Sequence, residues 1–341
     1  MGDLSGRPLL ETAADARLYV ARNVDDDLAR HALAGLNTML VGERGEGKTS
    51  TLRQLVRRLR QEDPRNAIVF VDGSLLGPRP IDLALAILDA VSQTPGLTDR
   101  LRQGLLAPFA PAAGRDDGDV LLQAVRRLRR ARPEGARRCV AALDSLSSPE
   151  AAHTLFGRLR DELWQTPWRF AVSADSGVSA QILRPPADAF FEEVLHLAPL
   201  TPEEQRELAR RRLGAAEARR LAGTLARVEE GNPRRLLRDL RRLTAEGGEA
   251  GFLNGRDEQA RRLRDLGRPA GMLVAELESL GPRSASDEEL LRRLGWSRQR
   301  AAQVFDQLEG AGIVTDARQA GPRGRPRRVF TLVEPERLGA S

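Results

Sequence analysis

The chain has 341 residues, 41% hydrophobic and 30% charged, with a net charge of +6. That length exceeds one ordinary core, and the composition is globular, which excludes a disordered or fibrous chain. With no run of eighteen apolar residues, no apolar stretch behind Met1-Gly-Asp-Leu-Ser-Gly-Arg, and one cysteine, Cys139, the expectation is a cytoplasmic protein without membrane span, secretory signal or internal disulfide.

Leu36-Asn-Thr-Met-Leu-Val41 reads as a buried strand ending at Gly42, followed by a glycine loop and a helix from about Gly47 to Gln61 with Leu52, Leu55, Val56 and Leu59 on one face. Ala67–Val71 is a second strand. Helices are expected at 81–93 and 118–131, with an exposed loop at 107–118. Arg138–Leu143 is a third strand closed by Asp144, residues 149–164 are helical, Trp168–Ser173 is a fourth strand and Val194–Leu197 a fifth. Strands alternating with helices predict a parallel sheet covered on both faces. From Thr201-Pro-Glu-Glu, a helix-start signature, three helices are expected at 201–213, 215–230 and 233–246. After about residue 269 come three helices, Gly271–Leu280, Ser286–Gly295 and Ser297–Leu308. Two strands then flank an arginine-rich tip, Ile313-Val-Thr315 and Arg328–Leu332.

The segment Gly42-Glu43-Arg44-Gly45-Glu46-Gly47-Lys48-Thr49, between a strand and a helix, is a phosphate-binding loop. Its glycines let backbone N–H groups turn toward phosphates, and the following helix adds its positive end, reached also by Ser50. Lys48 neutralises the β- and γ-phosphates of ATP, and the Thr49 hydroxyl is placed for Mg²⁺. Lysine and arginine number 54, and Lys48 is the single lysine, so the other 53 are arginine. A lone lysine would fall at this position about once in 54 placements. A compact ammonium between phosphates is not replaceable by a planar guanidinium, which accounts for the exception. Asp144, at the carboxyl end of a neighbouring strand, is the matching group for Mg²⁺.

These motifs and their order resemble the AAA+ ATPases, in particular the initiator-like clade of origin-recognition type with a C-terminal winged helix. The resemblance covers nearly the whole chain. It runs through Tyr19-Val-Ala-Arg22-Asn before the first strand, the phosphate loop, Leu143-Asp144 and Ser173. It continues through Leu195-His-Leu-Ala-Pro-Leu-Thr-Pro-Glu-Glu and Gly231-Asn-Pro-Arg234. It implies a core over 1–200, an α-helical lid over 201–255 and a winged helix over 269–335. It also implies Ser173 as a sensor of the γ-phosphate or attacking water, Arg234 as a second sensor, Arg184 as an arginine finger toward a neighbouring copy in a homo-oligomer, and Tyr19 and Arg22 beside the adenine. The family usually has glutamate after the strand-end aspartate to polarise water. Here Ser145 stands there, so hydrolysis is expected to be slow or to use another base; Glu150 is near in sequence.

In a winged helix the third helix enters the major groove, which makes Arg298, Gln299, Arg300 and Gln303 candidate contacts with double-stranded DNA. The tip from Arg318 to Arg328 carries five arginines and no acid, adding Arg323, Arg325, Arg327 and Arg328, with an Arg-Gly-Arg-Pro core suited to a narrow minor groove. From 269 to 341 there are eleven arginines against ten acids, so the domain's charge is concentrated at that tip. A second reading stays open: a signalling ATPase resembling the STAND class, in which the winged helix clamps the core or binds a protein.

Overall fold

The computed structural model describes residues 3–109, 117–228, 231–245, 258–259, 261–320 and 326–333. Helices α1 (Ala13–Leu18) and α2 (Asp25–Ala34) precede strand β1 (Thr38–Gly42) and helix α3 (Lys48–Glu62). Then follow β2 (Ala67–Asp72), α4 (Pro80–Ser92), α5 (Asp99–Leu106), α6 (Asp117–Arg130), β3 (Cys139–Asp144), α7 (Pro149–Ala152), α8 (Arg160–Trp164), β4 (Trp168–Asp175), α9 (Ser176–Ile182) and β5 (Glu193–His196). The five strands form one parallel sheet in the order β2-β3-β4-β1-β5.

Period-two alternation splits each strand between two apolar layers. Met39 and Val41 of β1 pack with Val69, Ala141 and Val172 on one face, while Leu40 packs with Leu52, Val56 and Val140 on the other. Both faces are dry, which is why the strands read as continuous apolar runs. Each buried Leu or Val there contributes about 1.5–3 kcal/mol of transfer free energy. Cys139 lies within this sheet, and burial pushes its thiol pKa up to about 11.

Several boundaries differ from expectation. The helix expected over 149–164 is interrupted by a π-helical turn, His153–Arg158, closed by the Leu159 N–H donating to the Thr154 carbonyl at 3.1 Å. Gly157 in that turn lies against Pro186, where a Cβ would come within 2.5 Å of the ring, so the wider turn accommodates a close backbone approach. Helix α5 is additional, capped by Thr98. Strand β4 runs two residues beyond Ser173, to Asp175.

The chain divides into two compact units, one of residues 1–218 and 229–236, the other of residues 219–228 and 237–341. The first adds helix α10 (Pro202–Leu213), whose start is a capping box of Thr201 and Glu204. Helix α11 (Ala215–Arg220) ends at buried Leu221, which separates it from α12 (Ala222–Val228), so the helix expected over 215–230 is two short ones. Helix α13 spans Pro233–Thr244.

The second unit contains α12, the part of α13 from residue 237, α14 (Arg268–Leu280), α15 (Glu288–Leu294), α16 (Arg298–Gly310) and the antiparallel hairpin β6 (Val314–Ala320) and β7 (Pro326–Leu332). Helix, helix, helix, hairpin is the winged-helix order. Leu273, Leu277, Leu290, Val304, Phe305, Leu308 and Phe330 form its core, with Phe305 and Phe330 stacked at 4.2 Å. The hairpin is longer than expected, so Arg318 and Arg327 join Arg328 in its strands.

Candidate nucleotide site

Gly45 (φ 90°) and Gly47 (φ 100°) adopt the left-handed conformation that side chains resist, and Gly47 is the N-cap of α3. Lys48 begins that helix and is buried, its ammonium donating to the carbonyls of Gly42 (2.8 Å) and Glu43 (2.9 Å) and to Asp175 Oδ1 (2.6 Å). The Glu46 carboxylate turns inward and accepts the Glu43 N–H at 2.6 Å. Burial raises its pKa, opposed by that bond and by Lys48. Glu46 thus acts as an internal brace of the loop. Gly42 lies beneath it, where a Cβ would come within 2.8 Å of Glu46 Oε2.

Asp144 gathers the second half of the site. Its Oδ2 accepts from the Thr49 hydroxyl at 2.7 Å and its Oδ1 from the Ser173 hydroxyl at 2.6 Å. Ser173, fully buried, also accepts the Ser145 N–H at 2.9 Å. A serine hydroxyl has one proton, and here it is given to Asp144. The geometry makes Ser173 the group that orients the aspartate. Ser145 is the one non-glycine residue with positive φ (59°) among the described residues, and Gly73 packs on the adjoining peptide, where a Cβ would come within 2.5 Å of the Asp144 carbonyl.

The segment before β1 braces the loop. Arg22 is buried, donating to the Glu46 carbonyl at 2.6 Å and to the Ala198 carbonyl. Tyr19 hydrogen-bonds Asp25 (2.7 Å) and lies 3.1 Å from the Thr51 hydroxyl of α3. Burial, followed by the Asp25 charge, raises its pKa well above 10. Tyr19, Thr51, Gln54 and Arg57 line a cavity of about 320 Å³. The Ser50 hydroxyl accepts the Leu9 N–H at 3.1 Å, tying the N-terminal segment to the same helix.

Gly231-Asn232-Pro233-Arg234 is folded onto the loop from the other side. The Gly231 carbonyl accepts the Leu200 N–H at 2.7 Å, and a Cβ at Gly231 would come within 2.6 Å of Pro199. Asn232 donates to the Arg44 carbonyl at 3.0 Å while its Oδ1 accepts the Arg234 and Arg235 N–H groups, capping α13. The Arg234 N–H also reaches the Gly45 carbonyl at 3.3 Å. Arg234 is exposed as a residue, yet desolvation of its guanidinium and then Arg44 lower its pKa, with Asp175 pulling it back up. Arg184, just after α9, is exposed and makes no side-chain hydrogen bond among the described residues.

Sequence reasoning missed Asp175. The local sequence places the end of the fourth strand at Ser173, but β4 continues in register with β1 so that Asp175 pairs with Gly42, the first residue of the loop. The signal was the two-residue period, which puts Ser173 and Asp175 on one face.

Loop, helix and strand-end aspartate therefore converge at the carboxyl edge of a parallel sheet ordered β2-β3-β4-β1-β5. The core is a five-stranded parallel α/β sheet with apolar layers on both faces and the glycine loop at its carboxyl edge. No protein-family model matches the sequence, and no curated protein matches it. The chain is similar to the solved structure of the Aeropyrum pernix ORC1 protein in complex with DNA, at 21% identity over 96% of this chain and 94% of that one, TM-score 0.48. It is similar to CDC6P from Pyrobaculum aerophilum at 16% identity, 95% of both chains and TM-score 0.48. It is also similar to the Thermotoga maritima RuvB Holliday junction branch migration motor at 17% identity, 96% of both chains and TM-score 0.44.

In the second unit Arg298, Gln299, Arg300 and Gln303 are exposed on the first turns of α16, whose N-cap is Ser297. Arg323 and Arg325 lie outside the described residues, and the Arg327 backbone pairs with Gln319 in the hairpin. Arg328 is held by carboxylates, Asp316 and Glu309 at 2.8 Å each and Asp306 at 3.6 Å, and the first two raise its pKa. Its charge is thus balanced by carboxylates of the same unit.

Proposed function

We propose that this chain is an ATP-dependent DNA-binding ATPase whose nucleotide state governs self-assembly and engagement of double-stranded DNA by the winged helix. The observation that carries the reading is the Asn232 and Arg234 docking on Arg44 and Gly45. Any shift of loop backbone on triphosphate binding is felt at the start of α13.

The residues present fit a magnesium triphosphate. A buried ammonium with three oxygen acceptors is available to exchange them for phosphate oxygens. The Thr49 hydroxyl and Asp144 carboxylate form a hard-oxygen pair for Mg²⁺, which supplies neutralisation of phosphate charge. Lys48 would bind the β- and γ-phosphates, Arg234 would approach the γ-phosphate, and Tyr19 would border the adenine while Arg22 braces the loop. Exposed Arg184 would reach the nucleotide of a neighbouring copy. A soluble, cytoplasmic homo-oligomer suits this reading, and among the described residues no helix is long and apolar enough to cross a membrane. For DNA, the support lies in Arg298, Gln299, Arg300 and Gln303 on the exposed start of α16, with Arg323, Arg325 and Arg327 as further candidates near the wing tip.

The test compares wild type, Lys48→Ala and the double variant Arg298→Ala/Arg300→Ala. Magnesium ATP raises the melting temperature of wild type but not of Lys48→Ala. Duplex DNA binding, read by fluorescence anisotropy, strengthens with ATP in wild type alone. The double variant binds more weakly, with a salt dependence shallower by about 0.9 per lost phosphate contact. DNA affinity indifferent to both ATP and Lys48→Ala refutes the coupling.

A further inference from the structure

A P-loop ATPase needs a group to take the proton of the attacking water, and Ser145 cannot serve as a carboxylate does. Glu150 is exposed in the first turn of α7. Three carboxylates end strands of the sheet: Asp72 on β2, Asp144 on β3 and Asp175 on β4. Asp72 is furthest from the loop strand and accepts from the Ser74 N–H and hydroxyl through Oδ1. Asp144 is bound by Thr49 and Ser173. Asp175 stands beside Gly42 and binds Lys48 at 2.6 Å, and Arg234 feels its charge.

A second feature sets Asp175 apart. It is the N-cap residue of α9, where aspartate ordinarily accepts an amide of the first turn. Here it makes no side-chain cap hydrogen bond. The carboxylate forgoes that bond and reaches across to the loop lysine, leaving about half of the side chain open (51%).

We propose that Asp175 is the catalytic base of ATP hydrolysis in this chain, a reading that rests on the ATPase function above. A triphosphate competes for the Lys48 ammonium. Once Lys48 turns to phosphate oxygens, the Asp175 carboxylate is left beside the same phosphates. Water oxygen bonds to the γ-phosphorus as the bond to the β,γ-bridging oxygen breaks, its electron pair leaving on ADP. The water proton passes to an Asp175 carboxylate oxygen and then to the released inorganic phosphate. Reactants and products balance as ATP and water to ADP and phosphate.

The experiment uses the full chain and its variants Asp175→Asn, Asp175→Glu and Glu150→Gln. Affinity is read with a fluorescent triphosphate and magnesium, folding by circular dichroism, and kcat and KM by phosphate release. Asp175→Asn binds the triphosphate at least as tightly as wild type, because Lys48 loses a competing anion, while kcat falls about 10²-fold or more. Asp175→Glu recovers part of kcat, and Glu150→Gln leaves it unchanged. Tighter binding with undiminished kcat in Asp175→Asn makes Asp175 only a counterion for Lys48 and overturns the proposal, as does wild type that binds magnesium ATP yet releases no phosphate. Wild type that fails to bind magnesium ATP refutes the nucleotide-binding function itself, a distinguishable result. If Asp175→Asn is unfolded, Asp175→Glu decides: kcat equal to wild type with weakened binding overturns the assignment, and a reduced kcat at retained affinity supports it.

Discussion

Ser173→Ala tests whether one buried hydroxyl sets the metal-side geometry. The Ser173 side chain has no exposure, donates to Asp144 at 2.6 Å and accepts from the Ser145 amide at 2.9 Å. A hydrogen bond to a charged group is worth about 1.5–3 kcal/mol and a neutral one about 0.5–1.5 kcal/mol, so the variant loses roughly 2–4.5 kcal/mol. Asp144 is itself 3% exposed, so water does not readily replace the lost donor. At about 2–4 °C per kcal/mol for a unit of this size, a loss near 3 kcal/mol lowers Tm by about 9 °C. The assay is thermal unfolding by circular dichroism, followed by magnesium titration of ATP binding, in which Ser173→Ala requires more magnesium because Asp144 is no longer held toward Thr49. A Tm within about 2 °C of wild type, with the same magnesium requirement, refutes the assignment of Ser173 as the aspartate's orienting group.

Arg22→Ala removes donors to the Glu46 and Ala198 carbonyls, costing about 3 kcal/mol in urea unfolding and weakening ATP binding; unchanged affinity would separate the brace from the site. Gly45→Ala imposes left-handed strain of about 1–2 kcal/mol and meets the Asn232 amide, so calorimetry should register weaker ATP binding as well as lower stability. Asp15 is held at about 2, below its ordinary 3.8, mainly by the Arg7 guanidinium, with burial opposing and the Leu10 N–H assisting. The folded form therefore binds fewer protons than the unfolded one, so this contribution is complete above about pH 3.8 and is lost as pH falls through about 2. Asp15→Asn lowers Tm near neutrality and the difference closes toward pH 2; a deficit independent of pH would point to packing instead.

The parallel sheet was legible because both layers are apolar, so strands such as Cys139–Asp144 read as unbroken runs between helices. The loop was legible because its chemistry demands glycines and one lysine at set spacing. Asp175 was hidden by a strand end. Ser173 is polar, and local sequence does not show that its hydroxyl is satisfied inside the sheet, allowing β4 to continue. The role of Arg22 was hidden likewise, since its partners are carbonyls 24 and 176 residues away. The π-turn at 153–158 answers a tertiary approach of Gly157 to Pro186 that no local periodicity encodes. Arg328 is expected at the start of the last strand, but its pairing with carboxylates of α16 and β6 depends on hairpin register and packing that local sequence does not show.

The solitary lysine gives the loop its own chemical reporter. Apart from the chain's terminal amine, Lys48 is the protein's one primary amine, and it is 8% exposed and bound to three oxygens. Amine-selective acylating reagents therefore leave arginine untouched and read a single internal position. The rate at which that residue gains mass becomes a footprint of loop opening, measurable by mass spectrometry in a mixture without any engineered label.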